Sequence, residues 1–403
     1  MNMSDIQIPT EFNTITADAV VIGGGIVGTA TAFWLSKAGM KTILLEKRDG
    51  LSSLTTTVSA ECFRTQFTEA AMADIALPSV AMFENFNDVI GRSDVDIHLT
   101  QRGYLFVTDD TSQIPDLEKA IADYERCGVK GSELIQGDDL HKRFPFLAKQ
   151  AVAASFNNRD GWFSTHEATY GFAKGAEDAT FFMKTKAVGI QTDGKGICAV
   201  ETDKGTISTR LVVNCAGPYA KEIGKMVGLD MPFRTVRRQK AFIKTNHTDL
   251  PQDAPFTIDL LNHAYWRPET GGLLCAWVDP DEPVTSPTDE PPTDWDFAAE
   301  SIYRNSRLNP FFEGISEDLK AEDVNVSAGF YVYTPDEKPA IGPSEEIEGF
   351  HLNCGYWCGV MMSPEAGKRV ADLATGKMDN KDNPLRYARF KEEDVKPGDT
   401  FLK

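Results

Sequence analysis

Positive charge is scarce in this chain. Lys and Arg number 41 against 60 Asp and Glu over 403 residues, a formal net charge of −19. Such a surface repels phosphate backbones and anionic headgroups, which argues against nucleic acid and anionic membrane surfaces as partners. Long apolar runs are missing too. The stretch 19–35 is too short and too rich in glycine to cross a bilayer, so no membrane span is expected. Residues 1–17 are polar and acidic, without a basic region followed by an apolar core, so no export leader is expected. Histidine occurs six times, and nothing at ligand spacing completes the pair Cys354 and Cys358 into a metal site. That pair reads as packed thiols, and no metal is expected. The seven cysteines, odd in number and without an export signal, fit a reduced cytoplasmic protein. What is present is an ordinary globular composition, 41% hydrophobic and 25% charged, in a chain long enough for two domains.

The organising stretch is AVVIGGGIVGTATAFWLSKAGMKTILLEK, residues 19–47. A short apolar strand runs into Gly23, Gly25 and Gly28 in G-x-G-x-x-G spacing. A helix pattern from Ile26 to Ala38 follows, stopped by Gly39, and a second strand ends in Glu46. Gly23 allows the tight turn, Gly25 lets a pyrophosphate approach the backbone, and Gly28 lets helix and strand pack closely. The helix start, at Ile26 and Val27, offers free N–H groups and the positive end of the dipole. Glu46 can accept hydrogen bonds from a ribose 2′-hydroxyl and disfavours a 2′-phosphate. The fingerprint indicates a dinucleotide without choosing between NAD and FAD.

Further along, a Ser/Thr-rich loop carries Arg64, which suits bidentate capture of a carboxylate if it is not simply a surface arginine. An amphipathic helix is expected over 69–90. The strand RLVVNCAGPYA ends at Ala216 and Gly217, where the backbone either meets a cofactor or only makes a tight turn. From Pro232 to Asp323 strand patterns dominate, interrupted by the proline-rich loop 279–294, which reads as an insertion rather than a lid. Near the end a strand, a turn with Gly355 and Gly359, and a helix from Pro364 to Thr375 repeat the cofactor-type pattern. Cofactor elements at the start, middle and end imply a sheet assembled from distant parts, which favours FAD. The expected fold is α/β, α+β overall: a discontinuous FAD-binding Rossmann-type domain (1–95, 151–231 and 324–403, the last with a C-terminal tail) and a substrate domain with a mostly antiparallel sheet (96–150 and 232–323).

With these motifs the chain resembles the D-amino-acid oxidase superfamily of flavoproteins, in the branch of sarcosine oxidases, glycine oxidases and dimethylglycine dehydrogenase. The resemblance rests on the glycine fingerprint, FRTQF, VVNCAGPYA, GFYVYTPDEKPAIGP and GYWCGVMMSPEAG. It implies FAD held through Gly23, Gly25 and Gly28, with Glu46 and Lys47 at the adenosine and the Val188 backbone at the adenine. Ala216 and Gly217 would supply the mid-chain contact, and Gly355, Gly359, Val360 and Met361 the loop at the flavin pyrimidine ring. Arg64 matches an arginine that holds the substrate carboxylate. Gly329 stands where monomeric sarcosine oxidase carries its flavin-linking cysteine, so non-covalent FAD is expected. Leu274 replaces a lysine that promotes reaction with O2, Met361 a second carboxylate-binding lysine, and Glu61 an arginine. Tyr265, Trp266, Tyr331 and Tyr356 are candidates to wall the pocket, and Glu61 to bind a cationic amine. The implied reaction is oxidation of a C–N bond in an amino acid or N-alkyl amino acid. The alternatives are 2-hydroxy-acid oxidation, with His166, His263 or His351 as base, and a flavin-bound subunit or assembly factor. A homo-oligomer and an electron-transfer partner are both compatible with the sequence.

Overall fold

A computed structural model describes residues 6–392; the first five residues and the tail from 393 lie outside the described residues. Strand Ala19–Ile22 is β-branched at three of four positions and fully buried. It pairs in parallel with Thr42–Leu45 through helix Ile26–Lys37, a βαβ unit. Gly39, at φ +83°, closes that helix with its N–H on the Ser36 carbonyl at 2.8 Å. This unit sits inside a seven-stranded sheet in the order Ile6–Gln7, Ala179–Phe182, Thr42–Leu45, Ala19–Ile22, Val212–Asn214, Phe350–Cys354, Ala340–Pro343. Every pair is parallel except the last. The sheet is thus built from the beginning, middle and end of the chain, as expected for a discontinuous dinucleotide-binding fold.

A second sheet of eight strands runs Val324–Tyr333, Arg234–Lys244, Gly272–Trp277, Ala264–Glu269, Phe256–Asp259, Tyr104–Thr108, Ala153–Asn157, Ser132–Gln136. Only Phe256–Asp259 and Tyr104–Thr108 pair in parallel. Strands Ala153–Asn157 and Val324–Tyr333, which the sequence reading grouped with the cofactor-binding parts, hydrogen-bond into this sheet. One face packs on helices Trp295–Ser306 and Phe311–Asp318 through Ala241, Ile243, Trp266, Leu273 and Phe312. By the two-residue alternation of a strand, Arg238, Lys240, Tyr265 and Arg267 stand on the other face.

Two helices differ from the sequence reading. The helix expected over 69–90 is two, Ala70–Glu84 and Phe86–Ile90. The last helix begins at Gly359, not Pro364, and runs to Ala374. Pro364 lacks the N–H that would meet the Val360 carbonyl, and the Ser363 hydroxyl donates to that carbonyl instead, at 2.9 Å. Gly359, Val360 and Met361 therefore form the first turn of a helix rather than a loop.

Candidate active site

Beyond the carboxyl ends of three parallel strands the chain turns away and leaves a crevice, the usual ligand position in such sheets. After Ala19–Ile22 come Gly25, Ile26 and Val27; after Val212–Asn214 come Cys215, Ala216, Gly217 and Pro218; after Phe350–Cys354 come Tyr356 through Met361. Two adjoining cavities occupy the crevice and share Gly25, Thr55, Thr56, Cys215, Gly217 and Pro218. One, about 430 Å³, extends toward Glu46 and Lys47. The other, about 210 Å³, runs under the second sheet to Tyr265 and Tyr331.

The glycines do what their spacing suggests. Gly23 has φ +118°, and a Cβ there would stand 2.4 Å from the Cys215 carbonyl oxygen. A Cβ on Gly28 would stand 1.9 Å from the Gly23 carbonyl oxygen, so this residue packs helix on strand and does not line the crevice. Gly25 lines both cavities, and its missing Cβ leaves room toward Thr56, whose Oγ1 accepts the Ile26 N–H at 3.2 Å. The Glu46 carboxylate accepts from the Gly24 and Arg48 N–H groups, each at 2.8 Å, which fixes it in the wall of the larger cavity. Burial raises its pKa against these hydrogen bonds. Val188 is half exposed and outside the lining; its neighbours Thr185, Lys186 and Ala187 line the cavity in its place. Gly355, at φ +83°, packs on Thr334, while Tyr356, Gly359, Val360 and Met361 line the smaller cavity. A glycine cradle, a helix N-terminus, a fixed acid and a continuous crevice fit FAD. At Gly329 a Cβ would stand 2.7 Å from Val58, so the strand presses against the loop and offers no linking side chain.

The loop 279–294 proves to be more than an insertion. Pro287, Thr288 and Asp289 line the larger cavity. The Asp289 carboxylate takes Lys47 Nζ at 2.5 Å and the Tyr219 hydroxyl at 2.7 Å, and Arg48 donates to the Asp289 carbonyl at 2.7 Å. Lys47 Nζ also lies 3.5 Å from the centre of the Tyr219 ring. Lys47 is thus committed to a bridge across the outer end of the crevice.

Arg64 is 5% exposed and lines the smaller cavity. It forms no ion pair and donates no hydrogen bond among the described residues, and its Nε is buried without a partner. Its guanidinium sits 4.8 Å from the Phe67 ring, 5.2 Å from Phe106 and 5.6 Å from Trp357. The segment is held by Asp160, which accepts from Thr65 N at 2.6 Å, Thr65 Oγ1 at 2.7 Å and Gln66 Nε2 at 3.1 Å.

Glu61 lines the cavity at φ +59°, a strained backbone for this residue type. Its Oε1 accepts from Thr165 N and Oγ1 at 3.1 and 3.0 Å, and its Oε2 faces Arg267 at 3.3 Å. The carboxylate is therefore neither a solvated loop acid nor free for an amine. Behind it, Arg267 also pairs with Glu269 at 2.7 Å, and Lys240 Nζ donates to the Ser59 carbonyl at 2.6 Å. Burial lowers the pKa of Lys240.

Tyr265 and Tyr331 line the cavity, and burial raises both hydroxyl pKa values. Tyr356 lines it too, but its hydroxyl donates to Asn353 Oδ1 at 2.5 Å. Trp266 does not: strand alternation turns it into the core against Phe146, Phe311 and Phe312. Leu274 is buried across the strand pair from Arg267, outside the cavity lining. Of the candidate histidines only His263 reaches the cavity. His351 is buried in the first sheet, and the His166 ring lies 4.6 Å from that of Tyr170, tilted by 40°. The sequence reading missed Arg238, which lines the cavity from the second sheet. Its only trace was the cationic run VRRQK, in which alternate residues share a face.

Three comparisons with known proteins complete the picture. The chain is 27% identical over 376 residues to human mitochondrial dimethylglycine dehydrogenase, covering 88% of this chain and 42% of that protein. It thus spans about two fifths of the length of that curated relative. It is 25% identical over 372 residues to glycine oxidase of Geobacillus kaustophilus, covering 89% of this chain and 93% of that one. Among solved structures, L-proline dehydrogenase from P. horikoshii superposes with a TM-score of 0.82 at 27% identity, covering 94% of this chain and 98% of the other. The family model described as FAD dependent oxidoreductase matches residues 18–373, almost the whole of the crevice-forming chain, and the protein belongs to that family of FAD-dependent oxidoreductases.

Proposed function

We propose that this chain oxidises the C–N bond of an amino acid, with an N-alkyl amino acid as the favoured substrate. The observation that carries the reading is Arg64: a buried guanidinium in an aromatic cage, facing a cavity and without an ion pair among the described residues. A buried cation without an ion pair costs several kcal/mol, only partly offset by the rings and by the field of the buried Asp160 carboxyl. A substrate carboxylate relieves that cost and forms a bidentate pair. The names of the relatives, dimethylglycine dehydrogenase and glycine oxidase, support the same substrate class.

In this reading Gly23, Gly25, Ile26, Val27, Glu46, Ala216, Gly217, Gly359, Val360 and Met361 would hold FAD without a covalent bond. Bound FAD supplies a two-electron acceptor for the hydrogen on the carbon next to nitrogen. Arg64 fixes the carboxylate and so sets which carbon faces the acceptor. Tyr265, Tyr331 and Tyr356 wall the site and exclude water. An amine bound unprotonated would keep its nitrogen lone pair free, so the oxidation would require no protein base. The imine product is then hydrolysed by water to a carbonyl compound and an amine. The sheet built from distant segments forms the cofactor domain, and the eight-stranded sheet covers the substrate.

Arg64→Gln tests the reading. With sarcosine or a longer N-methyl amino acid, anaerobic bleaching of the flavin in the variant should need at least ~30-fold more substrate than in the wild type, the loss expected when a buried charge pair loses one partner. Unchanged bleaching would remove Arg64 from the substrate site. A second reading, oxidation of a 2-hydroxy acid, is kept by His263 in the cavity lining. Bleaching by hydroxy acids alone would favour it.

A further inference from the structure

Two arginines without an ion-pair partner among the described residues line the smaller cavity, Arg64 with only the field of the buried Asp160 beside it. Apart from His263, three charged side chains line it: Glu61, Arg64 and Arg238. Glu61 is answered by Arg267, and the group behind it is balanced, with Arg267 and Lys240 against Glu61 and Glu269. Arg64 and Arg238 remain, and neither has a carboxylate within ion-pair distance among the described residues.

Arg238 is held but not neutralised. Its two terminal nitrogens donate to the Asp279 backbone carbonyl at 3.0 Å and to the Tyr333 hydroxyl at 3.3 Å. The Asp279 carboxylate turns away and accepts from Asp281 N at 2.9 Å. On its outer side Arg238 also lines a second cavity with Asp279, Glu282, Asp294, Asp296 and Glu300; none of them forms an ion pair with it, and Glu282 is taken by the neighbouring Arg237 at 2.9 Å. Arg238 Nε is buried without a partner. Both contacts fix the guanidinium in orientation and leave its charge intact.

The two arginines are joined by neighbouring rings that line the same cavity. Arg64 lies 6.0 Å from the Tyr104 ring. Tyr104 stacks on Phe256 at 4.4 Å, and Phe256 on Tyr265 at 5.4 Å. Beyond Tyr265 come Tyr333 and Arg238, the latter 6.0 Å from the Tyr333 ring. A ring-lined cavity with two cations matches a molecule with two anions and methylene groups between. A lone carboxylate would leave one guanidinium unanswered in a half-buried site.

We propose that the substrate is dianionic, an N-substituted amino acid carrying a second carboxylate several bonds from the first, with Arg64 on the α-carboxylate and Arg238 on the distal one. The proposal rests on the amino-acid oxidation reading for the reacting end. Arg238 sets specificity and takes no part in the chemistry.

The test uses the FAD-loaded protein and two probe series: N-methylglycine and N-methylalanine against N-methylaspartate and N-methylglutamate. N-methylglutamate should show a KM at least ~10-fold below that of N-methylalanine, the ratio a charge-assisted hydrogen bond supports. Arg238→Gln should erase that difference, raising KM for the diacids about tenfold more than for the monoacids and acting on KM rather than kcat, as expected for binding energy present equally in ground and transition states. Arg238→Lys should restore part of it. Equal KM values for mono- and diacids in the wild type would overturn the proposal, as would loss of FAD from Arg238→Gln, which would place the residue in the cofactor site. If no N-methyl acid bleaches the flavin, the amine reading fails by itself. Titration with glutarate and acetate, read from the flavin spectrum, then decides: preference for glutarate that vanishes in Arg238→Gln keeps the two-anion site, and equal response removes it.

Discussion

Asp160 and His351 are both shifted toward neutrality by burial, and their effects on stability oppose each other. Desolvation pushes the Asp160 carboxyl up to about 6, against hydrogen bonds from Thr65 and Gln66. Between the ordinary value near 4 and that value, the folded chain holds a proton that the unfolded chain has released, so stability falls as pH rises through this window. Burial brings His351 down to about 4. Between that value and about 6.5 the unfolded chain holds the extra proton, so here stability rises with pH. Asp160→Asn removes the first effect alone. Beyond any constant offset from the altered Thr65 contacts, the variant should gain stability relative to the wild type as pH rises from about 4 to about 6, by roughly 3 kcal/mol. Urea unfolding across that range measures it. A difference between the two proteins that stays flat with pH would show that Asp160 ionises in the folded state as it does in water. Arg64, two positions from the Asp160-bound Gln66, was visible in sequence as an arginine suited to a carboxylate. That it lies buried without an ion pair was not, because the rings around it come from Phe67, Phe106 and Trp357.

Among the elements, the loop 279–294 departs furthest from its sequence. Rich in proline and acid, it reads as a surface insertion. In the structure Asp289 joins Lys47, Arg48 and Tyr219 and bridges the outer end of the larger cavity. The side chain of Asp289 is largely exposed, so the ion pair contributes at most about 1 kcal/mol. Its position over the crevice predicts that it slows cofactor release. Asp289→Asn should raise the FAD dissociation rate about threefold to fivefold, which corresponds to that energy. Added salt should speed release from the wild type more than from the variant. Flavin fluorescence on release reads both quantities, and a release rate indifferent to the substitution and to salt would return the loop to the status of an insertion. The N-terminal βαβ unit lies at the other extreme. Its strands, helix and cap were legible because local rules set them: β-branched residues, glycine at positive φ, and helical spacing.

Across the whole molecule, FAD would touch segments from residue 22 to residue 361 and lie between two sheets. Cofactor binding and folding are therefore linked. At a free FAD concentration 100 times its Kd, stability should rise by about 3 kcal/mol. Because strand Val324–Tyr333 leads straight into the segment returning to the first sheet, both sheets should unfold in one transition that moves upward with FAD. Calorimetry of stripped and reloaded protein tests this. Two transitions, only one of them responsive to FAD, would show that the second sheet is independent of the cofactor.

The sequence by itself determined the parts whose physics is local. The glycine fingerprint, the acid after the second strand, the three cofactor-type turns and the two kinds of sheet all follow from residue type and spacing over a few turns or strands. The tertiary structure alone decided the rest. It placed strand Val324–Tyr333 in the second sheet, since strand partners are chosen by long-range pairing that no local pattern records. It turned Trp266 into the core and Tyr265 into the cavity, since a strand reveals its alternation but not which face is buried. It answered Glu61 with Arg267 and left Arg64 and Arg238 without ion pairs among the described residues, and charge balance in a cavity depends on residues from distant segments meeting in one place.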